Sequence, residues 1–83
     1  MTTRRWLRGV VVDGADAPVP GAYVVVVEAS VPLPEIALVA DAQGGFAINL
    51  PEGTCRLRAE DAGRAGEVEV TVPAPGEVRI QLR

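Results

Sequence analysis

Few residues of this 83-residue chain are of the types that carry out chemistry, and several of them lie in one stretch. Residues 41–60, DAQGGFAINLPEGTCRLRAE, combine an acid, a pair of glycines and the single cysteine, Cys55. A nucleophilic cysteine needs a neighbouring base or a cationic setting that lowers the pKa of its thiol. In the strand predicted at residues 55–60, Cys55 points inward, whereas Arg56 and Arg58 point to the opposite face. We therefore expect Cys55 to pack as a small hydrophobic side chain.

The absence of histidine from the whole sequence removes most catalytic arrangements. It excludes Ser-His and Cys-His pairs, the common zinc sites and the side chain best suited to acid–base work near neutral pH. Ser30, the only serine, lies in a proline-flanked loop of a chain without lysine. The paired carboxylates fall at turns or on a solvated strand face, where nothing drives their pKa values apart. These pairs are Asp13 with Asp16, Glu60 with Asp61, and Glu67 with Glu69. We expect no enzyme activity and no cofactor.

The loop at residues 41–45 has a second interpretation, as a site for a metal ion or a phosphate. Calcium normally takes six to eight oxygen ligands, and Asp41 supplies the only carboxylate of this loop. Phosphate cradles lead into a helix N-terminus, whereas these glycines lead into the strand-like residues 46–50. Glycine also supplies the positive φ that a tight turn requires. We therefore predict a turn here and no metal.

Composition and charge limit the class of partner. The net charge is −3, all eight cations are arginine, and no basic stripe of the kind that follows a nucleic-acid backbone is present. The opening MTTRR is followed by too few apolar residues for a signal peptide or a membrane span. A single cysteine fits a reducing compartment. We expect one domain over residues 1–83 with a flexible tail at 1–5, cytoplasmic or exported as part of a complex, from a GC-rich bacterial genome.

Turn signals divide the chain into short apolar runs. Clusters of glycine, proline and aspartate recur about every ten residues, and no apolar 3.6-residue period extends beyond a turn or two. This pattern predicts an all-β sandwich or barrel without a helix. The predicted strands are 6–12, 22–29, 36–40, 46–50, 55–60, 67–72 and 77–82. The last three alternate apolar and polar residues, so each has one dry face and one wet face.

The first two predicted strands are apolar on both faces, which is unusual for a sheet with one side in water. A loop or an N-terminal strand that covers one face, or a bulge that shifts the register, would explain the pattern. Alternatively, an outer face is a contact surface, because contiguous exposed apolar patches usually mark an interface. The candidate interface residues are those predicted to point outward: Trp6, Val10, Val12, Tyr23, Val25 and Val27.

Four segments together resemble the carboxypeptidase regulatory-like domain: LRGVVVD at 7–13, PVPGAYV at 18–24, DAQGGF at 41–46 and LPEGTCRLRA at 50–59. The resemblance covers residues 7–82 and implies an all-β, seven-stranded antiparallel Greek-key β-sandwich of the transthyretin-like (prealbumin-like) or Ig-like type. Ala40 and Cys55 stand where the family often has threonine and tyrosine, and both fit a smaller core residue. Hydroxyisourate hydrolases, enzymes with this fold, depend on histidines and a C-terminal tetrapeptide that this chain lacks.

The resemblance also implies a non-catalytic accessory module that acts in trans. We expect docking onto a larger protein or assembly, or a homo-oligomer, through an apolar sheet face or a strand edge. The fold implied by the resemblance places the first two strands in opposite sheets, so the six candidates cannot form one patch. The alternative is a carbohydrate or small-ligand module that uses the loops at one end of the sandwich. Its candidate residues are Asp13, Asp16, Asp41 and Gln43, although these loops lack an aromatic platform.

Overall fold

The computed structural model describes residues 3–30 and 36–83 as seven β-strands and connecting turns. Each of the seven predicted runs corresponds to one strand, and these residues contain no helix. In chain order the strands are β1 (Arg4–Val12), β2 (Tyr23–Ala29), β3 (Ala37–Val39), β4 (Gly45–Pro51), β5 (Gly53–Asp61), β6 (Arg64–Val72) and β7 (Val78–Gln81). The prediction of an all-β fold is confirmed.

The strands form two sheets with the orders β4-β1-β7 and β3-β2-β5-β6. All strand pairs are antiparallel except β1 with β7, which is parallel from Gly9 opposite Val78 to Val12 opposite Gln81. The expectation of a wholly antiparallel sandwich is therefore wrong for this pair. The physical reason is that β7 reaches β1 after the chain has crossed from the other sheet, so no hairpin constrains the two strands to run in opposite directions.

The core lies between the two sheets and is built mainly from aliphatic side chains that alternate along each strand. The largest fully buried residues are Leu7, Leu50, Leu57, Ile80, Leu82, Val11 and Val24. Phe46 is the one buried aromatic residue of the described chain, and it lies opposite Gly9 in the β1–β4 pair. A Cβ atom at Gly9 would overlap the Phe46 ring. The ring thus fills the space that a side chain on β1 would otherwise occupy.

One side of the sandwich closes where β6 approaches β7. The Arg83 N–H donates to the carbonyl oxygen of Ala65 at 3.0 Å. A Cβ atom at Gly66 would overlap the carbonyl oxygen of Gln81, so the absence of a side chain permits this backbone approach. On the other side, β3 and β4 are the edge strands of their sheets.

The N-terminal residues that the structure describes are attached to the turn between β4 and β5. The Glu52 N–H donates to the carbonyl oxygen of Thr3 at 2.9 Å, and an Arg4 Nη2 donates to the carbonyl oxygen of Asn49 at 3.1 Å. Arg5 Nε lies 3.4 Å from a Glu52 carboxylate oxygen. Arg4 and Arg5 are therefore strand residues and not part of the expected flexible tail, whose residues 1 and 2 lie outside the described residues.

Candidate functional site

The outer surface of β2 and β3 carries a contiguous apolar patch. Antiparallel pairing places Tyr23 opposite Val39 and Val25 opposite Ala37. Tyr23 is 47% exposed and Val39 is 63% exposed. We call this surface the tyrosine face and define it by Tyr23, Val25, Val27, Ala37 and Val39. Three of the four exposed large hydrophobic residues in the described chain belong to it.

Val27 belongs to the tyrosine face by alternation with Tyr23 and Val25, and it lies at a β-bulge. The register of β2 on β5 shifts between Val26, which lies opposite Leu57, and Glu28, which lies opposite Arg56. Val27 therefore has no partner residue in β5, and its side chain is 46% exposed. Two residues on β2 here oppose one residue on β5, so Glu28 also points outward and Ala29 packs against the core. The bulge therefore does not explain the apolar outer side of β2, because Tyr23 and Val25 precede it.

Acidic side chains border the tyrosine face on the same outer side of the sheet. We call them the glutamate strip, consisting of Glu28, Glu60, Glu67 and Glu69. Two arginines lie among them. Arg58 contacts Glu60 at 2.7 Å and Glu67 at 3.0 Å. Arg56 lies 3.5 Å from Glu28, 3.9 Å from Glu67 and 3.8 Å from Glu69. Hydrogen bonds to Glu60 and Glu67 raise the pKa of Arg58. Four carboxylates share two guanidinium groups, so the described side chains of the strip and its arginines have a surplus of two negative charges.

The outer surface of the other sheet has the opposite charge. Trp6 is 68% exposed on β1, with Arg4 and Arg8 two residues away on either side and therefore on the same surface. Arg79 of β7 lies opposite Val10. We call this surface the tryptophan face and define it by Arg4, Trp6, Arg8, Val10 and Arg79. Among the described strand residues that point outward from this sheet, none is acidic, but Glu77, which directly precedes β7, lines a surface pocket with Arg8. Asp16, from the loop after β1, contacts Arg79 at 3.0 Å.

Val12 points to the same side as Trp6 by alternation, yet it is only 3% exposed and does not belong to the central core cluster. The loop that follows β1 folds back beside Val12, because the Asp13 N–H donates to the carbonyl oxygen of Ala17 at 2.9 Å. Gln81 Nε2 donates to the carbonyl oxygen of Asp13 at 3.3 Å and ties the loop to β7. Val12 therefore cannot contribute to an exposed interface. This corrects its inclusion among the candidate interface residues.

The remaining five candidates divide between two opposite surfaces. Trp6 and Val10 lie on the tryptophan face, and the three β2 residues lie on the tyrosine face. The expectation that β1 and β2 belong to different sheets is confirmed. Val10 and Val25 are half-buried, so the exposed positions Trp6 and Val39 are better sites for a substitution that tests binding.

The loop residues proposed for the alternative ligand site hold their own turns together. Asp13 Oδ1 accepts hydrogen bonds from the N–H groups of Ala17 and Ala15 at 3.0 and 2.8 Å, and these bonds lower the pKa of the Asp13 carboxyl. Asp41 Oδ1 accepts from the N–H groups of Gln43 and Gly45 at 2.9 and 2.8 Å.

The loops that contain Asp13 and Asp41 are adjacent. The Val11 N–H donates to the carbonyl oxygen of Gly44, and the Gly21 N–H donates to the carbonyl oxygen of Ala40. The Gln43 side chain is exposed. Within residues 3–30 and 36–83, no three histidine, cysteine, aspartate or glutamate side chains come together to hold a metal ion.

Cys55 lies at an inward position of β5, opposite Val70 of β6, and is buried. Burial raises the pKa of its thiol, which favours the unreactive protonated form. The nearby hydroxyl of Ser30 accepts a hydrogen bond from the Thr54 N–H at 3.1 Å and so serves the backbone. The inward orientation predicted for Cys55 is confirmed.

Sequence reasoning omitted Val39 from the candidate interface. The signal was present, because Leu38 and Ala40 point inward and alternation then sends Ala37 and Val39 outward. The pairing of β3 with β2 places Val39 beside Tyr23 and Ala37 beside Val25, two of the candidate interface residues.

The model of the carboxypeptidase regulatory-like domain family matches residues 7–83. No curated protein matches the chain. Domains of this family are Ig-like or transthyretin-like sandwiches and are in general non-catalytic. In the described part of the chain, no helix is long and apolar enough to cross a membrane. Because the family match covers nearly the whole chain and the two-sheet fold agrees with it, the chain belongs to the carboxypeptidase regulatory-like domain family.

Proposed function

We propose that this chain is a non-catalytic interaction module that docks onto a partner protein through the tyrosine face. The observation that carries the proposal is the contiguity of exposed apolar side chains on β2 and β3, with Tyr23 and Val39 directly paired. Tyrosine and valine have few rotatable bonds, so little side-chain entropy is lost when a partner covers them. The partner would present an apolar centre with a cationic rim that meets the glutamate strip.

The edge strand β3 extends this surface with backbone groups. The Ala40 N–H donates to Ala22 at 2.8 Å, and the carbonyl oxygen of Ile36 accepts from the Val26 N–H at 3.3 Å. Alternate residues of β3 therefore bond to β2, and the intervening Ala37 and Val39 turn their N–H and C=O groups toward the open edge. A partner that covers the tyrosine face could also bond to this edge.

Three features support a role without catalysis. The family is in general non-catalytic, the Cys55 thiol is buried with a raised pKa, and the Asp13 and Asp41 carboxylates bond to backbone N–H groups. The same hydrogen bonds argue against saccharide binding at the loops, because a ligand would have to compete with the turns. No observation favours that alternative over docking.

The test is a comparison of three immobilised proteins: the wild type, Val39→Glu and Thr71→Glu. Thr71 is exposed on β6 of the same sheet, so its replacement adds the same charge away from the tyrosine face. We expect a partner protein from the native host that binds the wild type and Thr71→Glu and is lost with Val39→Glu. Direct binding of the purified partner would then show a dissociation constant raised about tenfold or more by Val39→Glu. Equal binding of every captured protein to all three would refute the proposal.

A further inference from the structure

We infer that the partner of the tyrosine face is the tryptophan face of a second copy of this chain. This inference rests on the proposed function, because it names the partner of the same surface. Two sheets that lie back to back present these faces on opposite sides of the sandwich. Each copy would therefore offer one face to the copy before it and the other face to the copy after it.

The two faces have complementary charge. The tryptophan face carries three arginines, Arg4, Arg8 and Arg79. Two carboxylates from outside its strands lie near them, because Asp16 contacts Arg79 and Glu77 lines a surface pocket with Arg8, so one cation remains in surplus. The sheet that bears the tyrosine face carries four glutamates against two arginines. A net charge of −3 is thus distributed unevenly, with acids in surplus on one outer surface and cations on the other. Complementary rims of this kind steer association and fix its orientation.

The apolar centres of the two faces also match. Trp6 on one copy would lie against Tyr23 and Val39 of the next, so the contact would cover the four exposed large hydrophobic residues of the described chain. Arg4 and Arg8 stand about 7 Å from Trp6 along β1, given the rise of a strand. Within the glutamate strip, Glu60 lies directly beside Tyr23 at about 5 Å and Glu67 lies at about 12 Å, so these two carboxylates come within reach of the cations. Glu28 and Glu69 lie farther along the sheet.

The geometry predicts an open stack of limited strength. Because the two faces differ and point in opposite directions, the contact is heterologous and cannot close on itself as a dimer. The smaller face limits the contact, and its three strands, about 5 Å apart and about 25 Å long, give about 375 Å². About 750 Å² buried in total is below the usual size of a specific interface, so we expect weak assembly that depends on concentration.

The experiment is sedimentation velocity on the purified full chain, up to about 1 mM protein so that dissociation constants in the weak range are detected. We expect the average mass to rise beyond that of a dimer, and to fall when salt screens the rim charges. Trp6→Glu and Val39→Glu should each be monomeric alone. Mixed in equal amounts, they should form a heterodimer that grows no further, because each variant keeps one intact and different face.

Ala42→Glu is the matched control, since Ala42 is an exposed turn residue between β3 and β4 and should leave the stack unchanged. The amide NMR spectrum of each variant checks that it is folded. A wild type that stays monomeric, or two variants that do not associate when mixed, would overturn the inference. If the wild type is monomeric while a host protein is lost with Val39→Glu, self-association fails and docking stands. If the stack forms and no host protein depends on Val39, self-association stands and docking on another protein fails.

Discussion

Replacing Gly9 by alanine tests the packing that joins β1 to β4 through the core. Gly9 is buried and points inward, and a Cβ atom placed there would overlap three atoms of the Phe46 ring. Phe46 is only 8% exposed, and the open space beside it is a surface pocket that Gly9 and Phe46 both line, so the ring can turn only toward solvent. Either the ring moves toward solvent or the two strands separate.

The magnitude follows from two opposing effects. Overpacking of a core costs about 1 to 3 kcal/mol, and partial exposure of a phenylalanine falls in the same range. Alanine restricts the unfolded chain more than glycine, which offsets about 0.4 to 1 kcal/mol. We therefore expect Gly9→Ala to lower the free energy of unfolding by about 1 to 2 kcal/mol. For a domain of this size that corresponds to a fall in Tm of about 4 to 15 °C.

Urea unfolding followed by circular dichroism measures this change, with Gly14→Ala as the control. Gly14 is exposed, a Cβ atom there would meet nothing within 4 Å, and its effect should stay within about 0.5 kcal/mol. In a Phe46→Leu background, Gly9→Ala should destabilise the protein less, because the smaller side chain leaves room for the methyl group. A Gly9→Ala protein as stable as the wild type would refute this account of the Phe46 ring.

Three further predictions concern positions away from the two faces. Gly66→Ala should lower the free energy of unfolding by more than Gly9→Ala, because its Cβ atom would overlap the backbone oxygen of Gln81, which cannot rotate away; urea unfolding measures both. Asp13 should titrate by NMR below its usual pKa, since Ala17 and Ala15 donate to it. The pKa of Asp13 is lower in the folded than in the unfolded chain, so its carboxylate stabilises the fold above the unfolded pKa. This contribution is lost as the pH falls through the folded pKa. The difference in the free energy of unfolding between the wild type and Asp13→Asn should therefore shrink in acid. The buried Cys55 thiol should react with iodoacetamide more slowly in the folded than in the urea-unfolded chain, and equal rates would contradict its placement.

The sequence allowed all seven strands to be predicted because each is bounded by turn residues that act locally. Glycine, proline and aspartate specify turn geometry within a few residues, and alternation then assigns faces, as it did correctly for Cys55 and Leu57 on β5. The parallel pairing of β7 with β1 was not predictable in this way. It depends on which sheet the chain enters after β6, a choice that involves contacts between distant segments.

Val12 shows the same limit within the candidate site. Its outward position by alternation was predictable, but its burial depends on a loop held by Arg79 and Gln81, which lie 63 and 68 residues from their partners. Val39 was within reach of the pattern, whereas the charge difference between the two faces was not. That difference appears only when β1 and β7 are known to share one sheet and β2, β5 and β6 the other.

The acidic residues of the loops and of the strands differ in what a partner could use. Asp13 and Asp41 accept two backbone N–H groups each, so a ligand that binds their carboxylates must open a turn. The glutamate strip, in contrast, is held by exposed ion pairs, each worth about 0 to 1 kcal/mol, and its four carboxylates outnumber their two arginines. An incoming guanidinium group can therefore pair with a carboxylate of the strip without displacing any backbone hydrogen bond. The tyrosine face and its acidic border are thus the surface on which a partner can bind with the least disturbance of the fold.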